Sequence, residues 1–194
     1  SYLKLRNLTI GYRLPLPKAF PVGIRLYATT SNLFTITPYK GYDPEVSSGT
    51  DNGAYPAYLP TNLRLGTSFT FPLADYHTLA INLDANKLLV PARPREQDYD
   101  TSTAEGQREY NDALQKWEDM SPITGIFKSF SDAPGGAKEE FKEITWSLGA
   151  EYSYNQQFFL RAGYFYENAM KGNRQYFGIG AGFSLNVVRL DASY

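Results

Sequence analysis

Four carboxylates and three arginines are the residues whose types could do acid/base chemistry, and all occupy polar positions of strand-like segments. They are Asp84, Glu151, Glu167, Asp191, Arg64, Arg161 and Arg189. Two carboxylates at short range can serve as general acid and general base. Carboxylates that alternate with arginines in a narrow space form ion pairs instead. Ion pairing is the better interpretation for these seven residues, because the other residues on the same side of the strands are mainly small. We therefore expect no catalytic residue and a charge network made of Arg64, Asp84, Glu151, Arg161, Glu167 and Asp191.

The candidate metal ligands are few and poorly spaced. His77 is the one histidine, and the chain has no cysteine. A zinc site needs several such ligands together, and His77 has neither a second histidine nor a thiolate nearby. The segments 43–45 and 50–53 are rich in oxygen ligands, but they lack the spacing of a calcium loop and are typical of turns. The sequence predicts no metal site and no cofactor.

Charge and hydropathy exclude two further classes of protein. The net charge of -1 gives no electrostatic basis for binding nucleic acid. The mean hydropathy of -0.41 and the lack of a long apolar run exclude a transmembrane helix. These values do not exclude membrane-spanning strands, because apolar and polar residues alternate along such strands and the mean hydropathy stays low. Ser1 falls directly into a strand-like stretch, which indicates a processed product or an internal piece.

The elements that position the charged residues are strands with a period of two. The sequence predicts eight of them, at 1–14, 23–37, 63–71, 78–86, 144–154, 158–167, 176–185 and 188–194. One face carries large apolar residues, such as Trp146, Leu148, Leu160 and Ile179, while the other carries glycine and polar residues. We expect the apolar face to contact lipid and the glycine face to line a lumen.

The connections between these strands alternate in length. The links at 15–22, 72–76, 154–157 and 185–187 are short, and those at 38–60, 90–143 and 168–173 are longer. Outer-membrane barrels have short periplasmic turns and long external loops. The fold class predicted is all-β, an antiparallel transmembrane β-barrel of about eight strands or part of a larger barrel. A hairpin centred on Gln156 would place Glu151 directly across from Arg161.

The insertion at 90–143 is expected to form a helical external loop at about 100–135. Thr103 is a suitable N-cap, and Ser121 followed by Pro122 predicts a second helix start. Within it, Ile123, Ile126, Phe127 and Phe130 form a candidate partner-docking loop. Two interpretations stay open: a docking surface for a secreted partner, or packing against Tyr110, Leu114 and Trp117 or over the barrel mouth.

Residues 1 to about 56 resemble the C-terminal barrel end of TonB-dependent transporters of the SusC/RagA type. The resemblance rests on Tyr-Leu-Lys-Leu-Arg-Asn-Leu-Thr-Ile-Gly-Tyr (2–12), Asn-Leu-Phe-Thr-Ile-Thr (32–37), Tyr-Lys-Gly-Tyr-Asp-Pro-Glu-Val (39–46) and Gly-Ala-Tyr-Pro (53–56). It implies a fragment of a nutrient importer that works with a SusD-like lipoprotein.

Residues from about 58 onward resemble the PorV (LptO) family, FadL-like barrel proteins of the type IX secretion system in Bacteroidota. The matching stretches are Leu-Pro-Thr-Asn-Leu-Arg-Leu-Gly (59–66), Asn-Lys-Leu-Leu-Val-Pro (86–91), Gly-Ile-Phe-Lys-Ser-Phe-Ser-Asp-Ala-Pro-Gly-Gly (125–136), Arg-Ala-Gly-Tyr-Phe-Tyr-Glu (161–167) and Lys-Gly-Asn-Arg-Gln-Tyr-Phe (171–177). This resemblance implies a non-enzymatic protein of the cell outer membrane that shuttles cargo from the translocon to the surface attachment complex.

The two resemblances together predict one barrel domain over 1–194, with SusC-like strands at 1–56 and PorV-like strands with a helical insertion (90–143) at 57–194. Their join near Pro56 indicates a composite or partial chain. The implied partners are outer-membrane lipid or detergent, a SprA/Sov-like translocon and the C-terminal domains of its cargo. A SusD-like lipoprotein is the alternative partner. A third hypothesis is a soluble barrel whose apolar face encloses a lipid.

Overall fold

The computed structural model describes residues 3–17, 20–36, 61–133, 135–185 and 188–194. The strands are β1 (Leu3–Arg13), β2 (Gly23–Ile36), β3 (Asn62–Ala74), β4 (His77–Leu88), β5 (Thr145–Tyr154), β6 (Phe158–Tyr166), β7 (Gln175–Ser184) and β8 (Arg189–Ser193). The helices are α1 (Ala104–Glu118), α2 (Pro122–Lys128) and α3 (Ala137–Lys142), and a short 3-10 turn spans Glu96–Asp98. The candidate calcium ligands at 43–45 and 50–53 lie outside the described residues.

The eight strands form one sheet in the order of the sequence, from β1 to β8. The ladders from β4 to β8 are antiparallel, and the predicted all-β class is confirmed. Over the described ranges β1 and β8 are the two ends of this order, so the eight strands do not close into a barrel. Closure would need a ladder between the first and last strands, which the alternation within single strands does not specify.

Strand boundaries lie close to those predicted, with one instructive difference. The strand expected to end at Phe71 continues through Pro72 to Ala74, so the turn into β4 shrinks to Asp75 and Tyr76. Proline is a strong turn signal in sequence, yet a strand accepts it wherever the ladder does not need its N–H. The hairpin between β5 and β6 has the predicted centre, and Glu151 pairs with Arg161 as expected.

The contacts divide the chain into two compact units. The helical unit consists of Ser1–Asn7, Ser31–Asn62 and Leu88–Glu140, and the strand unit consists of Leu8–Thr30, Leu63–Lys87 and Phe141–Tyr194. No helix in the described part of the chain is long and apolar enough to cross a membrane.

The helical unit begins its helices where the sequence predicts. The Thr103 hydroxyl accepts a hydrogen bond from the Gly106 N–H at 3.1 Å, and Ser121 accepts one from the Thr124 N–H at 3.2 Å. Trp117 is buried and its indole N–H donates to the Pro91 carbonyl at 3.2 Å. These contacts hold α1 against the chain that leads into it.

Helix α3 lies beyond the stretch of about 100–135 in which the sequence predicts helices. The Glu139 and Glu140 side chains accept hydrogen bonds from the backbone N–H groups of Gly135 and Ala133, each at 2.8 Å. Two carboxylates thus satisfy donors just before the helix start, where negative charge is also favoured by the helix dipole. Six residues are too short for the hydrophobic period to be visible in sequence.

Candidate functional site

The apolar face of β4 to β8 is arranged in rows by the strand register. At the end of the sheet where the short turns lie, the row consists of His77, Tyr154, Phe158, Phe183 and Leu190. The next two rows are mainly aliphatic, and consist of Leu79, Tyr152, Leu160, Ala181 and Ala192, then Ile81, Ala150, Ala162 and Ile179. At the other end the rows are Leu83, Leu148, Tyr164 and Phe177, then Ala85, Trp146, Tyr166 and Gln175. Aromatic rings therefore band both ends of this face.

Ring contacts within the bands join neighbouring strands. The ring centroids of Phe158 and Phe183 are 4.7 Å apart, and those of Tyr164 and Phe177 are also 4.7 Å apart. The His77 ring lies 5.0 Å from that of Tyr154, and His77 Nδ1 is 2.5 Å from the Tyr152 hydroxyl. Such pairs stabilise cross-strand contacts beyond the area they bury. His77 is thus part of an aromatic band, and no group of metal-holding side chains occurs among the described residues.

Large aliphatic side chains on β5, β6 and β7 of this face are open to solvent. Leu148 is 50%, Leu160 is 61% and Ile179 is 65% exposed, whereas Ser153 on the opposite face is buried. In a water-soluble sheet the apolar face is the one covered. From His77 to Ala85 the face measures about 27 Å along a strand, or about 20 Å in height at a tilt of about 40°. The apolar face thus carries exposed aliphatic side chains together with aromatic rings at both ends.

The opposite face carries an ion-pair cluster centred on Arg161. Arg161 Nε is 2.5 Å from Glu151 Oε2, and its Nη1 is 2.6 Å from Asp191 Oδ1. Arg189 Nε adds a bond of 2.8 Å to Asp191 Oδ2. A Cβ atom at Gly182 would stand 2.5 Å from Asp191 Oδ1 and 3.1 Å from Arg161 Nη1. The absence of a side chain at Gly182 is what lets the guanidinium and the carboxylate meet.

A second contact on this face joins Tyr27 and Asp84 across β3. The Tyr27 hydroxyl donates to Asp84 Oδ1 at 2.5 Å, and a Cβ atom at Gly66 would overlap both groups. Arg64 lies two residues before Gly66 on the same face of β3 and is exposed. Sequence reasoning did not include Tyr27, although its place beside Arg25 and Thr29 in the alternation of β2 puts it on the polar face.

Glu167 does not join the Arg161 cluster. It follows the end of β6 and is buried, and its carboxylate receives two bonds from Arg174, of 2.7 and 2.9 Å. These hydrogen bonds lower the pKa of Glu167 below its ordinary value. The six residues predicted as one network therefore lie in separate places: the Arg161 cluster, the Tyr27–Asp84 contact with Arg64 nearby, and the Glu167–Arg174 pair.

A carboxylate that the sequence did not single out, Glu143, binds two lysines in the strand unit. Lys87 Nζ lies 2.7 Å from Glu143 Oε2, and Lys171 Nζ lies 2.9 Å from Oε1. Burial acts to raise the pKa of Glu143, but the bonds from Lys87 and Lys171 outweigh it and lower the pKa. This cluster ties the end of β4 to the chain before β5 and to the β6–β7 connection.

The predicted docking residues lie on α2 and just after it. Ile123, Phe127 and Phe130 are 58%, 73% and 47% exposed, whereas Ile126 is partly buried. The residues of α1 against which they could have packed are more enclosed, with Trp117 at 8% exposure. Three of the four predicted side chains are therefore open to solvent within the helical unit.

The fold and these surfaces define a class: an all-β protein built on one sheet with an aromatic-banded apolar face and a polar, glycine-rich reverse. Residues 30–95 match the family model described as "Type IX secretion system protein PorV". This match begins upstream of residue 58, the approximate start of the part of the chain that resembles PorV in sequence. It ends before the similar stretches at 125–136, 161–167 and 171–177.

Two curated relatives are TonB-dependent receptors. The chain is 42% identical over 73 residues, 36% of its length, to TonB-dependent receptor SusC of Bacteroides thetaiotaomicron. It is 34% identical over 87 residues, 43% of its length, to TonB-dependent receptor P3 of Formosa agariphila. The chain spans 7% and 8% of the lengths of these relatives. The matches agree with the recognition of both families in the sequence and with a composite or partial chain.

Proposed function

We propose that the chain forms outer-membrane strands of a PorV-like protein that receives type IX cargo from the translocon and presents it to the surface attachment complex. This role requires binding surfaces on the external side and no catalytic residues on the strands. It is carried by one observation: an exposed, aromatic-banded face on a chain whose residues 30–95 match the PorV family model.

The contacts on the two faces support a position in lipid. The glycine-rich face is the crowded one, since Gly66 and Gly182 leave room for buried or half-buried polar groups. The apolar face carries exposed leucine and isoleucine residues between its aromatic bands. A soluble carrier would enclose those residues around its ligand. The crowding of side chains on the polar face therefore favours an arrangement in which lipid contacts the apolar face.

The helical unit supplies the surface for cargo. Phe127 is 73% exposed and Ile123, one helical turn before it, is 58% exposed. Single exposed apolar side chains are common on protein surfaces, but clusters of them mark interaction sites. We propose that Ile123, Phe127 and Phe130, the docking surface, contact the C-terminal domain of a cargo protein.

A second candidate is a piece of a nutrient receptor, which the relatives named SusC and P3 support. In that case the partner on the external side would be a SusD-like lipoprotein. The two proposals share the membrane position and differ in what the helical unit binds.

The test is capture of a reporter protein fused to a type IX cargo C-terminal domain by the full chain in detergent. We expect co-elution, loss of co-elution for Phe127→Ser, and no loss for Met170→Ser, a control that is 75% exposed in the strand unit. Equal capture by all three proteins would refute the docking surface. Capture of a SusD-like lipoprotein in place of the reporter would favour the receptor.

A further inference from the structure

The helical unit contains a recess beside the docking surface. It has a volume of about 320 Å³, and the aromatic rings of Tyr99 and Trp117 line it together with Pro94 and Ala113. That volume lies at the lower end of the range of about 300–1,000 Å³ typical of ligand pockets. It suits one large side chain better than a whole cofactor.

Four charged side chains also line the recess: Glu109, Asp112, Lys116 and Lys128. Glu109, Asp112, Ala113, Lys116 and Trp117 lie at i, i+3, i+4, i+7 and i+8 of α1, which is one continuous helical face. Within the part of the chain that the structure describes, no ion pair joins any of these four charges to another residue. Aromatic rings and four charged side chains without an ion-pair partner among the described residues thus line the same recess.

The recess and the docking surface both include residues of α2. Lys128, which lines the recess, is the last residue of α2 and directly follows Phe127. Phe127 is therefore one residue along α2 from the lining of the recess. A small molecule would fill the recess alone, whereas a polypeptide can occupy the recess and the docking surface together.

The lining of the recess is itself balanced, with two acidic and two basic side chains, so it is the net charge of the longer segment that selects the partner. Between residues 88 and 140 acidic side chains outnumber basic ones, and two of the acids, Glu109 and Asp112, are at the recess. Such a surface attracts basic groups at long range and disfavours acidic ones. Tyrosine and tryptophan rings also bind cationic side chains and stack with aromatic ones.

We propose that this recess receives one aromatic side chain of an extended segment of the partner protein, with basic residues on both sides of it. The basic side chains pair with Glu109 and Asp112, and the ammonium groups of Lys116 and Lys128 donate to carbonyl oxygens of the segment. This inference rests on the proposed function, of which it specifies the partner's chemistry.

The test is fluorescence anisotropy with the full chain in phospholipid nanodiscs and a labelled peptide Gly-Arg-Trp-Arg-Gly with blocked ends. The comparison peptides are Gly-Glu-Trp-Glu-Gly and Gly-Arg-Ala-Arg-Gly. We expect the first peptide to bind more tightly than either of the others. Equal or tighter binding of the glutamate peptide would overturn the proposed charge preference, and equal binding of the alanine peptide would overturn the aromatic pocket.

Two variants locate the binding. The double variant Glu109→Gln, Asp112→Asn should lower the affinity for the arginine–tryptophan peptide by up to about five-fold for each charge removed. Ala113→Leu places a larger side chain in the recess, and leucine is a good helix former. This variant should bind the tryptophan peptide more weakly and the alanine peptide as well as before. The control is Glu118→Gln with Asp119→Asn, at the end of α1 and away from the recess lining. Unchanged binding in both test variants would refute the recess as the site.

The result separates this inference from the proposed function. If Phe127→Ser abolishes capture of the cargo reporter while the peptides bind without preference, the recess is wrong and the docking surface stands. If the peptide preference and its variants behave as expected but the cargo reporter is never captured, the recess stands and the secretion role is wrong.

Discussion

Arg161 and Asp191 are bonded at 2.6 Å although β6 and β8, on which they lie, are not neighbours in the sheet. Strand β7 runs between them, and the bond passes over Gly182, which pairs with Asp191 in the β7–β8 ladder. One side chain therefore connects three strands, since Arg161 also binds Glu151 on β5. Such a contact needs an empty position on the strand that it crosses.

The first prediction concerns that position. Gly182→Val places atoms where the carboxylate of Asp191 and the guanidinium now meet, so it should lower the free energy of unfolding by about 1–3 kcal/mol. Urea unfolding of the protein refolded in lipid vesicles measures this. Gly149→Ala is the matched control, because nothing lies within 4 Å of a Cβ atom there. Equal effects at Gly182 and Gly149 would contradict the bridging role.

The second prediction concerns the contact across β3. Tyr27→Phe removes a hydrogen bond to a partly buried carboxylate and should lower the free energy of unfolding by about 1.5–3 kcal/mol. Tyr12→Phe is the comparison, since Tyr12 is 61% exposed. The same unfolding measurement applies, and a Tyr27→Phe protein as stable as the Tyr12→Phe protein would mean that the bond contributes nothing.

The third prediction concerns pH. Because Lys87 and Lys171 lower the pKa of Glu143 below its ordinary value of 4.5, the unfolded chain takes up the proton first as the pH falls. The stabilisation by Glu143 is complete above that value and is lost as the pH falls through the lowered pKa. Glu143→Gln should therefore be less stable than the parent at neutral pH and should lose less stability between pH 5 and the lowered pKa.

Melting temperatures of both proteins across this pH range provide the measurement. Glu118→Gln, on the exposed end of α1, is the control and should follow the parent curve. Parallel curves for the parent and Glu143→Gln would show that the two lysines do not act through this carboxylate.

The fourth prediction concerns the apolar face. Ile179→Arg puts a charge in the aliphatic middle of the face and should destabilise the protein in a bilayer by about 2–4 kcal/mol. Asn82→Arg, on the polar face and in register with Gly149, should have a much smaller effect. Vesicle refolding followed by urea titration compares the two. If Asn82→Arg were the more damaging change, the polar side would be the one in lipid and the assignment of faces would be reversed.

Periodicity in sequence is enough to predict the strands and their faces, because each depends on neighbouring residues. The hairpin of β5 and β6 illustrates this, since the position of its turn alone determines that Glu151 pairs with Arg161. The N-caps Thr103 and Ser121 are predictable for a similar reason, because capping depends on one side chain and a backbone N–H three residues later.

Contacts between strands distant in sequence are not predictable in the same way. Glu143 meets Lys87 because β4 and β5 pair across the helical insertion, and their register depends on no local signal. The same holds for Tyr27 and Asp84, which are 57 residues apart. The six predicted charged residues were assigned to one network because alternation specifies their face but not their positions along the sheet.

Gly149, Gly163 and Gly178 stand side by side on β5, β6 and β7, and the space over the first of them is empty. Bending a sheet crowds the side chains on its concave side and spreads those on its convex side. Three adjacent positions without side chains remove that crowding along one line, so these strands can curl toward their polar face at little steric cost. The large residues on the reverse, among them Leu148 and Ile179, then fan outward as the curl tightens.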